Sequence, residues 1–142
     1  MDNMKTLFNI IVCGHNEILK RYSINEIKKS FIQDNSIAIY DCNKKKDKLR
    51  LLLIPEKSKI TLIDNFDKLT ILQFKQVLKE NGCINLLVTR LSNEEVYKWF
   101  YKKHCVELYI QLFPYLLDID DFEKSAKKFG IVRNGLFENL FK

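Results

Sequence analysis

Three residues in this chain have types and spacing suited to phosphate chemistry: Gly14, Lys20 and Asp64. The stretch Gly14-His15-Asn16-Glu17-Ile18-Leu19-Lys20 follows an apolar run and opens a helical pattern. A loop that cradles phosphate reads Gly-x-x-x-x-Gly-Lys followed by Ser or Thr. Its glycines let consecutive backbone N–H groups turn inward toward the anion. Here Leu19 stands in the second glycine's place and Arg21 in the hydroxyl's. Bulky and branched side chains do not take up the dihedrals such a loop needs. The hydroxyl that would bind magnesium is missing as well.

A second remnant lies further on. Ile60-Thr61-Leu62-Ile63-Asp64-Asn65 reads as a strand ending on an acid of the Walker B type. Asp64 is placed to hold a metal through water. Asn65 stands where an ATPase wants a carboxylate to activate water, and an amide cannot take that proton. The two remnants occur in the correct order and speak against hydrolysis. No catalytic residue and no cofactor is expected. Gly14, Lys20 and Asp64 form a nucleotide-binding remnant, and nucleotide contact without turnover is the weaker use of them.

Other groups carry less chemistry. His15 sits at a strand end, but no Ser or Cys with motif support accompanies it. Cys13, Cys42, Cys83 and Cys105 lie far apart with no C-x-x-C pair, so reduced thiols are expected and no metal site. Trp99, Phe100, Tyr97 and Tyr101, beside Lys98, Lys102 and Lys103, fit a core with a basic rim, or a stacking surface for bases. The net charge of +6 is concentrated at positions 43–59, where seven Lys and Arg face only Asp47 and Glu56. That run is read as a solvated loop, or as a contact for phosphate or an acidic partner.

The elements that must position these residues follow from periodicity. Leu7 to Cys13 predicts a buried strand, and Ile18 to Ile32 a helix that Ser23-x-x-Glu26 could restart as a capping box. Ser36 to Cys42, Lys59 to Ile63 and Ile84 to Thr89 predict further strands, and Leu49 to Ile54 is ambiguous. Thr70 to Asn81 predicts a helix with Ile71, Phe74, Val77 and Leu78 inward. Ser92, with Glu95 three residues on, predicts a capped helix. His104 to Leu117, broken by Pro114, reads as helix, strand or both, and Asp118, Asp120 and Asp121 as helix N-terminal charges. This order predicts an α/β fold of three layers with a mainly parallel sheet, whose function collects at Gly14, Cys42, Asp64 and Thr89.

At the C-terminus, Ser125-Ala126-Lys127-Lys128-Phe129-Gly130-Ile131-Val132-Arg133-Asn134-Gly135-Leu136 has the turn grammar of a helix-turn-helix. It resembles the Fis-type module that ends NtrC-type AAA+ transcriptional activators. Leu108, Ile110, Leu112 and Leu116 would then belong to that module's dimer-forming helix. The N-terminal part resembles a shortened, degenerate P-loop NTPase-like domain, with Ser36 to Cys42 as its second strand, Asp64 as its Walker B acid and Leu86 to Thr89 as its sensor strand. The resemblance implies a domain at 1–103, a helical module at 104–142, a homodimer, and DNA binding. Arg133 and Asn134 would read bases, and Lys127 and Lys128 would hold phosphates. The chain departs from the family in lacking its polymerase-contacting surface loop and a full lid between Thr89 and Val106. From Ile119 to Lys142, five Lys and Arg against four Asp and Glu leave a charge of only +1.

The expectation is therefore a non-enzymatic regulator, or a protein-protein adaptor on an inactivated ATPase fold. No apolar run approaches the roughly 20 residues that span a bilayer, and no signal peptide is read in the polar N-terminus. A cytoplasmic protein with no membrane partner is expected.

Overall fold

The structure is a computed structural model that describes residues 8–31, 37–54, 60–80 and 84–122. Five strands, β1 (Phe8–Cys13), β2 (Ile37–Asp41), β3 (Ile60–Asp64), β4 (Ile84–Val88) and β5 (Leu116–Asp118), form one sheet in the order β2-β3-β4-β1-β5. Every pairing is parallel. Among the described residues, five α-helices accompany them: α1 (Glu17–Phe31), α2 (Lys45–Leu53), α3 (Ile71–Glu80), α4 (Asn93–Lys102) and α5 (Val106–Leu112).

Strand position explains the sequence of each strand. A parallel strand covered on both faces has no polar side to show. β4 lies mid-sheet between β1 and β3, and all five of its residues are buried. β2 lies at the edge, and there Ile39 is 56% exposed.

Connection handedness sets the layers. The step from β1 to β2 runs one way along the sheet, and every later step runs the other way. Right-handed crossovers must then place α1 on one face and the remaining helices on the opposite face. The packing follows this rule. Leu19, Tyr22, Ile24 and Ile27 of α1 meet Ile10, Val12, Leu86 and Val88. Leu51, Phe74, Val96, Phe100 and Leu112 meet Ile11, Tyr40, Ile63 and Leu87 on the other side.

Three readings of the sequence change. The capping-box pattern at Ser23 does not restart the first helix, because α1 runs unbroken and Ser23 is fully buried within it. A cap residue must leave helical dihedrals, and the apolar stripe on either side of Ser23 holds it to the sheet instead. Within the lysine-rich stretch, Lys45–Leu53 is helix α2 rather than a loop. Lys, Arg and Leu are good helix formers, and Leu51 is buried in the core. Residues 104–122 continue the α/β unit. α5 and a 3-10 turn at Phe113–Tyr115, with Pro114 inside, lead into β5, which pairs with β1. Leu112 and Leu116 are therefore core residues, not members of a dimer-forming helix. The helix-turn-helix pattern itself lies outside the described residues.

The aromatic group divides between core and surface. Trp99 packs edge-on against Phe66 and Phe74 at 5.6 and 5.5 Å and donates Nε1–H to the Asp67 carbonyl at 3.0 Å. Phe74 also meets Phe100 at 5.5 Å. Tyr97 and Tyr101 face outward. Phe74 is completely buried at the centre of this group, so Phe74→Ala should cost about 3–5 kcal/mol. Urea denaturation of the two proteins measures it. A loss below 1 kcal/mol, by the same rough scale, would contradict this packing.

Candidate functional site

In an open parallel sheet, ligands bind outside the carboxyl ends of the strands, where neighbouring connections leave for opposite faces. Here that point lies between β1 and β4. The chain leaves β1 through Gly14–Asn16 to α1, and leaves β4 through Thr89–Ser92 to α4. Gly14, Lys20 and Thr89 meet at this crevice, and the structure closes it with their own hydrogen bonds.

The loop from β1 to α1 is only Gly14, His15 and Asn16. Gly14 N–H donates to the Leu91 carbonyl across the crevice at 2.8 Å. His15 N–H donates to Asp120 Oδ1 at 2.9 Å. Asn16 acts as the helix cap, its Oδ1 accepting Leu19 N–H at 3.0 Å. The Gly14, His15 and Leu19 N–H groups, which could turn toward a phosphate, are thus already engaged. Gly14 has φ +128°, which favours glycine, and a Cβ there would lie 3.0 Å from Asp120 Oδ1 and 3.1 Å from Ile119 Cβ.

Lys20 is 3% exposed. Its Nζ donates to the Thr89 carbonyl at 3.1 Å and pairs with Glu17 Oε2 at 2.6 Å, one helical turn back. Thr89 Oγ1 in turn donates to Asp67 Oδ1 at 2.7 Å. A buried ammonium needs such partners, because its three donors cannot be left dry and unpaired. The amine therefore ties the end of β4 to α1. Carboxylates ring the same loop: Glu17 on Lys20, Asp120 on the His15 amide, and Glu95 at 3.7 Å from His15 Nε2. A polyphosphate approaching here meets like charge.

Asp64 ends β3 in register with Asp41 of β2. Burial, and then the Asp41 carboxylate, hold its carboxyl above the usual range, while the Asn65 N–H and the Lys20 charge oppose that shift. Asn65 takes the left-handed conformation, φ 56°, which Asn tolerates better than most residues. Its side chain turns to Asp41, with Nδ2 donating to Oδ1 at 2.9 Å. The Asn65 amide thus holds the edge strand's turn. Asp118, read as a helix N-terminal charge, caps a short 3-10 turn at Ile119–Asp121, its Oδ1 accepting Asp120 N–H at 3.0 Å.

The structure brings Gly14, Lys20 and Asp64 to one end of the sheet. Lys127, Lys128, Arg133 and Asn134 lie outside the described residues. Glu17 and Asp120 complete the closure and were not singled out for it. Glu17 was legible as an i,i+3 partner of Lys20, whereas Asp120 is 105 positions from His15 and left no local signal. Burial raises the Cys13 thiol well above its ordinary range and pushes Cys42 up to about 12, so both stay protonated. Among the described residues, no group of three or more His, Cys, Asp or Glu is arranged to hold a metal ion. No helix among them is long and apolar enough to cross a membrane.

Two outcomes follow. Gly14→Ala should destabilise the fold by about 1–3 kcal/mol, the cost of a strained left-handed residue, measured by urea denaturation; an unchanged midpoint would contradict the tight loop. For Asp64, a folded pKa above the unfolded one means that its stabilising contribution is present in acid and lost as pH rises through the folded value. Asp64→Asn should therefore gain stability relative to the unmodified protein as pH rises from about 4 to about 7. A stability difference that stays flat across that range would show that Asp64 is not desolvated.

Family models, curated proteins and solved structures contain no match to this chain.

Proposed function

We propose that this chain is a non-enzymatic regulatory protein on a degenerate P-loop NTPase-like scaffold, acting by binding rather than by nucleotide turnover. One observation carries the reading: the Lys20 amine, which a phosphate loop would aim at a triphosphate, is buried against the Thr89 carbonyl and paired with Glu17. Supporting it, β4 stands between β1 and β3, so the strands that would carry the phosphate loop, the sensor residue and the Walker B acid are neighbours. Asn65 in place of a carboxylate removes the base for attacking water. A scaffold with this ancestry and without its chemistry keeps surfaces for partners.

A second reading concerns DNA. The pattern from Ser125 to Leu136 favours a helix-turn-helix, with Lys127 and Lys128 on phosphates, Arg133 and Asn134 on bases, and a homodimer on a paired site. Without DNA binding, the protein is an adaptor for another protein.

Thermal melts test the first reading. Millimolar ATP with magnesium should leave the Tm unchanged. A site filled at a hundred times its Kd would add about 2.7 kcal/mol, enough to move the Tm by several degrees. Such a shift, or phosphate release from ATP above background, would overturn the reading. Mobility shifts test the second: a complex should weaken steeply with salt and with Arg133→Ala. Absence of any complex at low salt would leave the adaptor.

A further inference from the structure

α2 and α3 lie side by side on the outside of the molecule. Gln76 Nε2 of α3 donates to the Leu52 carbonyl of α2 at 3.1 Å, and Lys48 Nζ of α2 donates to the Lys68 carbonyl just before α3 at 2.9 Å. Their outer face does not look like an ordinary solvated surface. Leu53, Ile54 and Leu72 are 72–76% exposed and Leu49 is 47% exposed. Leu49 and Leu53 stand one turn apart on the same ridge of α2. Isolated exposed leucines need no explanation, but an aliphatic group gathered on adjacent helices marks a contact surface.

Cations share this face. Lys45 and Lys46 on α2, and Lys75 and Lys79 on α3, are all exposed. Among the described side chains, no acid occupies an exposed position on either helix. Asp47, the one acid of α2, is half-buried, accepting the Asp41 N–H and pairing with Arg50. The face is thus positive and aliphatic at once.

We propose that the outer face of α2 and α3 is a docking surface for an acidic, amphipathic segment of another protein. Charge and exposed aliphatic surface point to the same occupant. Glutamates of such a segment meet the lysines, while its leucine stripe covers Leu49, Leu53 and Leu72. Nucleic acid alone fits less well, since phosphate and bases use cations and aromatic rings and would leave these leucines in water. A bilayer surface fits less well too, because a helix lying in a membrane keeps its basic and apolar residues on opposite faces, and here they are interleaved. The inference rests on reading the chain as a binding protein and gives that activity a place.

The test uses the full chain and a fluorescent helix-forming peptide, with leucines at i, i+3, i+4 and i+7 flanked by glutamates. Anisotropy should show saturable binding, lost when glutamine replaces glutamate in the peptide. Lys45→Glu with Lys46→Glu, and separately Leu53→Ser with Leu72→Ser, should each weaken binding roughly tenfold or more. Tyr101→Ser, at an exposed aromatic site elsewhere, should leave it unchanged. Circular dichroism checks that each variant stays folded. No binding, or binding that survives both double substitutions, overturns the proposal. Preferential binding of a single-stranded oligonucleotide or of phosphatidylserine vesicles, lost with the same substitutions, overturns it in favour of those partners. ATP turnover would sink the binding-protein reading without altering the peptide result, so the two failures are distinguishable.

Discussion

The carboxyl edge of the sheet depends on one buried ammonium group. Lys20 is nearly inaccessible, and its charge is met by Glu17 and by the Thr89 carbonyl. Around this contact the other closures fall into place. Gly14 reaches Leu91, His15 reaches Asp120, and Thr89 reaches Asp67. Each bond joins the end of one strand to the connection that follows another. A crevice that serves as a ligand site in many parallel sheets here works as a structural joint.

That joint also explains why the turn can be so short. A phosphate loop needs several residues to wrap an anion, and its glycines keep backbone N–H groups free to point inward. Between β1 and α1 there are only three residues, and the N–H groups of Gly14 and His15 serve the protein itself. Leu19 and Arg21, where the motif would need a glycine and a hydroxyl, lie inside α1. There the Leu19 N–H goes to the Asn16 side chain rather than to an anion. The absence of the full motif from the sequence and the closure in the structure are consistent at two levels.

Much of the α/β unit was legible because its signals are local. β4 is an unbroken apolar run because it is covered on both faces. The capping box of Ser92 and Glu95 forms with both of its hydrogen bonds, since it needs only residues within one turn. The misreadings arose where tertiary packing overrides local pattern. Ser23 looks like a cap but sits in a stripe that the sheet buries. The lysines of α2 look like a loop until Leu51 and Leu52 are seen against the core. Leu116 reads equally as helix or strand, and only pairing with β1 decides between them. In the site, Gly14, Lys20 and Asp64 were identifiable from spacing. Of the partners that close it, Glu17 was legible one turn from Lys20, whereas Asp120 and Thr89 were not, because they come from distant parts of the chain.

The central claim is that the backbone donors after β1 belong to the protein and not to a nucleotide. Amide hydrogen exchange at Gly14, followed by NMR with and without ATP and magnesium, tests it most directly. The account predicts a slowly exchanging amide whose rate is the same in both samples. A fast-exchanging Gly14 amide that becomes protected when nucleotide is added would contradict it.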